Sequence, residues 1–131
     1  MKKITFDTGV QEYKLPGGVL RFNPADPGVY VRFRQAVDSL QQLEQDMAAA
    51  ITAENADYLD ILTRTDKAIK QNLTLVFGPG NDFDALVGGV NLLSAAADGK
   101  TVAEHLLTAL EPVLLDGAKR CAQAQAAAIG Q

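Results

Sequence analysis

The chain has no tryptophan, one histidine, one cysteine and only 6% aromatic residues. Each scarcity removes a class of chemistry. With Cys121 alone, neither an internal disulfide nor a thiolate metal cluster can form within one chain, a pattern that suits a reducing compartment. With His105 alone, any Ser-His-Asp or Cys-His scheme must pass through that residue. His105 and Cys121 fall on one predicted helix, where about sixteen residues at a rise of about 1.5 Å hold them roughly 24 Å apart. Glu104 and Asp98, near the histidine in sequence, do not complete a recognised metal-ligand spacing.

Long apolar runs are missing as well. No stretch approaches the roughly 18 uncharged residues that a membrane span requires. The N-terminus, Met1-Lys2-Lys3-Ile4-Thr5-Phe6-Asp7, has the lysines of a signal peptide without the apolar core that should follow them. Positive charge is outweighed, with sixteen acidic against twelve basic side chains and a formal net charge of −4, so the whole molecule repels a phosphate backbone. Lys67 and Lys70, beside Arg64 and Asp66, read as a mixed, solvated helix face. These absences predict no nucleic-acid partner, no membrane partner, no cofactor and a cytoplasmic location.

What is present is a helical protein. Hydrophobic residues make up 47% of the 131, but much of that is alanine, which favours helix and close helix approach more than it fills volume. One domain with a thin core is expected, for which self-association is a ready source of stability. Residues 1–22 read as a β ribbon. Ile4 and Phe6 alternate with polar neighbours, Thr8-Gly9 offers a turn, and Val10 to Leu15 and Val19 to Phe22 flank Pro16-Gly17-Gly18, which gives two or three strands.

Two helices are predicted over residues 26–77. Asp26 is the candidate N-cap of the first, with Pro27 at its opening position. Its apolar positions, Tyr30, Phe33, Val37, Leu40, Met47 and Ile51, approach a heptad pattern, so Phe33, Leu40 and Met47 form the candidate self-association face. Asn55 is a possible cap for the second helix, whose stripe is Tyr58, Leu59, Leu62, Ile69, Leu73 and Val76. A glycine-rich joint follows over residues 78–91, with Asp82 capping a short turn. C-terminal helices are expected over residues 92–128: a short one at Leu92 to Ala97, then a long one opened by a Thr101–Glu104 capping box. Pro112 should kink the long helix by removing a bond to Thr108, and the Ala/Gln tail beyond Cys121 has little to hold it against fraying. The fold class is mainly α, a small N-terminal β ribbon followed by a bundle of three or four amphipathic helices.

Acidic pairs do not add up to a site. Asp82 and Asp84 follow a Gly-Pro-Gly turn as in a calcium loop, but Leu86 and Val87 stand where further oxygen ligands are needed. Asp57 with Asp60, and Glu44 with Asp46, read as solvated helix faces. Gly78-Pro79-Gly80 lacks the Lys-Ser/Thr of a phosphate loop.

The joint itself carries the strongest signal. Phe77-Gly78-Pro79-Gly80, with Phe83 and Leu86 and then Gly88-Gly89-Val90-Asn91, breaks the chain sharply while supplying apolar anchors. Phe77, Gly78, Gly80, Phe83, Leu86, Gly89 and Asn91 are its candidate residues, as a structural joint or a partner contact, with Phe77 favoured as core. A Phe-Gly-x-Gly turn, a downstream hydrophobic-Gly-x-x-Asn element and a final helix, preceded by a ribbon and two long helices, resembles the small tail assembly chaperones of long-tailed phages and prophages of Gram-positive bacteria. The resemblance implies a non-enzymatic, mainly helical, self-associating protein of the bacterial host cytoplasm. It also implies that the protein binds the tape measure protein before tail-tube polymerisation and is then displaced, in some members with a second form extended by frameshifting. Two other classes stay open: a structural or adaptor tail protein retained in the particle, and a small enzyme or ligand-binding domain with no recognisable motif.

Overall fold

The computed structural model describes residues 1–130. Two antiparallel strands, β1 (Gln11–Leu15) and β2 (Gly18–Phe22), pair from Leu15↔Gly18 to Gln11↔Phe22 around Pro16-Gly17. Helices α1 (Pro27–Ile51), α2 (Tyr58–Phe77), the single turn α3 (Phe83–Leu86) and α4 (Val102–Ile129) follow. The fold is mainly α with a small N-terminal β ribbon, as the patterning predicts.

The helix starts are set by short polar side chains. Asp26 accepts from the Gly28 N–H with Pro27 in the first turn, Asp82 accepts from Asp84 and Ala85, and Thr101 accepts from Glu104. Each satisfies main-chain donors that a helix start leaves open. The cap of α2 is Asp57, which accepts from the Asp60 N–H, and not Asn55. Asn55 instead takes φ 61, the left-handed conformation that asparagine tolerates better than most residues, and turns the chain ahead of the cap.

α1 is the central helix, packed on α2 and on α4. Arg34 meets Glu111, and Gly117 lies against Pro24, so α4 runs antiparallel to α1. At Gly117 a Cβ would fall 1.7 Å from the Pro24 carbonyl oxygen; only glycine permits that approach. The core joins Leu20 and Phe22 of the ribbon to Phe33 and Leu40 of α1, Ile69, Leu73 and Val76 of α2, and Leu110 and Leu114 of α4. Burying each such side chain contributes about 1.5–3 kcal/mol.

Three expectations are corrected. Residues 3–7 form no strand, and Ile4 and Phe6 are exposed; a hairpin through Thr8-Gly9 would set Lys3 against Lys14, and like charges directly opposite oppose pairing. Residues 92–97 form no helix. They make a turn and an isolated bridge between Ala95 and Thr101 across Asp98-Gly99, because the Leu92 and Ser94 carbonyls accept from the Ala103 and Val102 N–H groups and the Ala96 N–H goes to the Lys100 carbonyl. Tyr58 and Leu59 lie on the exposed side of α2, and Ile61 takes the buried position. α4 carries Pro112 on its exposed side and is helical to Ile129, with residues 122–130 exposed.

Candidate functional site

The joint is built on an aromatic file. Tyr13 stacks on Phe22 with ring centroids 5.1 Å apart, Phe22 meets the edge of Phe77 at 4.8 Å, and Phe77 meets Phe83 at 5.5 Å. These spacings favour attraction between ring edges and faces. The file runs from the ribbon through the end of α2 into α3. Phe77, Phe83 and Leu86 are buried, which places them in the intramolecular core. Gly78 closes α2 at φ 102, ψ 158, a region open in practice to glycine alone and distinct from the left-handed helical cap. Gly89 has φ 74, whereas Gly80 has neither a positive φ nor an atom near its missing Cβ, so glycine is not required there. At the other end of the file Gly17 donates its N–H to the Leu86 carbonyl at 2.9 Å, and a Cβ on it would sit 2.0 Å from the Ala85 oxygen.

Polar clasps hold the joint in place. Asn81 is 95% shielded, at 5% exposure. Its Oδ1 accepts from the Arg21 N–H at 2.9 Å, and its Nδ2 donates to the Arg21 and Phe77 carbonyls at 2.8 and 2.9 Å. One amide therefore ties β2 to the last turn of α2. Lys70 is buried rather than solvated, and its Nζ donates to Asp66 at 2.9 Å and Asp84 at 2.6 Å. Burial disfavours its charge, but the hydrogen bonds to Asp84 and Asp66 and their negative charges outweigh that, and its pKa rises above the ordinary lysine value. Asp66 also accepts from the Leu92 N–H at 2.7 Å, and Asn91 donates to the Leu62 carbonyl at 3.3 Å. Among the described residues no buried side-chain polar atom lacks a partner.

Beside these clasps lies an open groove of about 610 Å³ between α2 and the joint, lined by Asp66, Lys70, Thr74, Leu75, Phe83 and Asp84 among others. Leu75 stands on its wall, 74% exposed. Asp66 and Leu75 are nine residues apart, so the groove follows α2 for roughly 13 Å at the helical rise, about two and a half turns.

The proposed self-association face is corrected. Phe33 and Leu40 are buried, at 0% and 7% exposure, and are spent on packing against α2 and α4; Met47 alone of the three is half-buried, beside Ile61 and Ala68 at the far end of the α1–α2 hairpin. His105 makes an exposed pair with Asp98 at 2.9 Å, which with a main-chain bond from Lys100 holds the Asp98 pKa below the ordinary carboxylate value. No group of three or more His, Cys, Asp or Glu among the described residues could hold a metal ion, and no described helix is long and apolar enough to cross a membrane.

The residues missed from sequence are Asn81, Lys70 with its two acids, Gly17 and Gly117. The Asp66–Lys70 spacing of four was visible and marks a helical ion pair, but Asp84 joins it only through the turn of the joint. No family model, curated protein or solved structure matches the chain.

Proposed function

We propose that this protein is a non-enzymatic tail assembly chaperone, which holds a helical segment of a tape measure protein in the groove beside α2 during tail morphogenesis in the bacterial host cytoplasm. The observation that carries the reading is the groove itself. Its wall is the exposed Leu75, with Phe83 closing its base from within the core, and its length suits two to three turns of a guest helix, the helix-in-groove mode of recognition. The glycine joint that bears the family resemblance also forms one side of this groove. Its own polar groups are satisfied internally, so it serves as scaffold, and the guest contacts apolar surface on α2. A single aliphatic anchor suits a contact that must later be displaced.

Co-expression with the tape measure protein, followed by co-purification, tests this. Leu75→Glu should abolish co-purification while the melting temperature stays unchanged. Leu59→Glu, at an equally exposed position on the same helix (79%) but away from the groove, should bind normally. Equal binding by both variants would remove the groove from the mechanism. Finished particles containing the protein would favour a retained adaptor, and a thermal shift with a small metabolite would favour the ligand-binding class.

A further inference from the structure

The ribbon has one closed edge and one open edge. On β2, Arg21 spends its N–H and its carbonyl on the side chain of Asn81, so an amide stands where a third strand would pair. Arg21 lies opposite Glu12. Since Arg21 turns both main-chain groups away from β1, this pair is of the non-hydrogen-bonded kind, and Glu12 likewise turns its N–H and C=O away from β2. The alternation of an antiparallel ladder puts the same groups of Lys14 on that outer side. Among the described residues, nothing pairs with this edge.

Immediately ahead of it lies an unpaired segment with strand patterning. Residues 1–8 are exposed, with Ile4 at 90% and Phe6 at 76%, and these two alternate with Lys3, Thr5 and Asp7. The base of this arm is anchored. Asn23 Nδ2 donates to the Thr8 carbonyl at 3.1 Å, and Asp7 accepts from the Gly9 N–H at 2.8 Å. Gly9, at φ 73, turns the arm out of line with β1.

The arm cannot satisfy its own edge. A two-residue turn at Thr8-Gly9 sets Lys3 opposite Lys14, and one at Gly9-Val10 sets Asp7 opposite Glu12; both juxtapose like charges. One antiparallel register keeps Phe6 beside Leu15, on the face that β1 turns to the core, and brings Asp7 opposite Lys14. For the chain's own arm this register would need a two-residue turn at Val10-Gln11, which requires positive φ at the β-branched Val10 and takes Gln11 out of its pairing with Phe22; an arm from another molecule adopts it without either cost.

We propose that residues Ile4–Thr8 of one copy add as an antiparallel strand to the open β1 edge of a second copy, with Asp7 opposite Lys14 and Phe6 beside Leu15. Each copy carries one donor arm and one acceptor edge, so addition is reciprocal in a pair or continues head to tail. Main-chain bonds between Asp7 and Lys14 supply attachment, and the charge pair selects the register. This assignment is independent of what the α2 groove holds.

Sedimentation velocity on the full chain, from low micromolar to near-millimolar concentration, tests it. Phe6→Asp, Asp7→Lys and Lys14→Glu each alter an exposed side chain, so circular dichroism and melting of the dilute protein should not change. Each should raise the dissociation constant roughly tenfold. The exchange variant Asp7→Lys/Lys14→Glu restores the unlike pair and should recover most of the lost association. A wild-type protein that stays monomeric throughout, single variants that associate as wild type does, or an exchange variant no better than its parents would each overturn the assignment.

Discussion

Replacing Asn81 by alanine removes three hydrogen bonds, all between 2.8 and 2.9 Å. Two of them go to the main chain of Arg21, an exposed residue, where water can substitute in part, and each contributes about 0.5–1.5 kcal/mol. The third satisfies the Phe77 carbonyl in a buried setting, and an orphaned buried acceptor costs about 1–3 kcal/mol. The sum is about 2–4 kcal/mol after allowing for water at Arg21, or roughly 8–16 °C in melting temperature for a chain of this length. Asn81→Asp separates the hydrogen bonds from the volume. A carboxylate keeps the shape and can still accept from the Arg21 N–H, but it places negative charge against two carbonyl oxygens. It should destabilise at least as much as alanine at neutral pH, and recover partly in acid, where a protonated carboxyl can donate once. Thermal melts of the three proteins from pH 4 to 7, with hydrogen exchange at the Arg21 amide, make the comparison. Loss of protection at Arg21 is expected in Asn81→Ala, with protection kept in part in Asn81→Asp, whose carboxylate still accepts from that amide. An Asn81→Asp protein as stable as wild type at neutral pH would refute the clasp.

Phe77→Ala deletes the centre of the aromatic file and should cost about 3–5 kcal/mol, read by denaturant melts; an unchanged melting temperature with loss of tape measure binding would instead make Phe77 a contact residue. Gly78→Val should destabilise by about 1–3 kcal/mol through its backbone conformation alone, since nothing lies within 4 Å of its missing Cβ, while Gly80→Ala should be within about 0.5 kcal/mol of wild type; equal effects at the two glycines would refute the conformational account. Lys70→Met should lower stability at neutral pH by leaving Asp66 and Asp84 unpaired. Because the folded pKa of Lys70 is raised, its charge contributes fully below the ordinary lysine value of 10.5, and that contribution fades as pH climbs through the folded value. The gap in melting temperature between wild type and Lys70→Met should therefore narrow in strongly alkaline buffer, and a gap that widens would contradict the ion-pair assignment.

The amino-acid sequence alone determined the features whose physics is local. Asp26-Pro27, Asp82 and Thr101 announced their helix starts because a capping side chain acts within three residues of itself. Pro16-Gly17 marked the ribbon turn and Phe77-Gly78-Pro79 the end of α2, since proline and glycine act on the dihedrals of their own position. Helical periodicity located much of the core, including Phe33, Leu40, Leu73 and Val76. It could not say whether that stripe faced another helix of the same chain or of a second copy, because an apolar stripe has the same period in either case. Tertiary structure decided that Phe33 and Leu40 pack inward, that Lys70 is a buried cation between acids from two elements, and that residues 92–97 leave the helix once the first turn of α4 takes the Leu92 and Ser94 carbonyls. It also decided the role of Asn81, a polar residue in a polar turn whose side chain bonds Arg21, sixty positions earlier in the chain. Hydrogen bonds and ion pairs between distant segments depend on where the backbone brings their atoms, within a few tenths of an ångström, and no residue type or spacing encodes that distance.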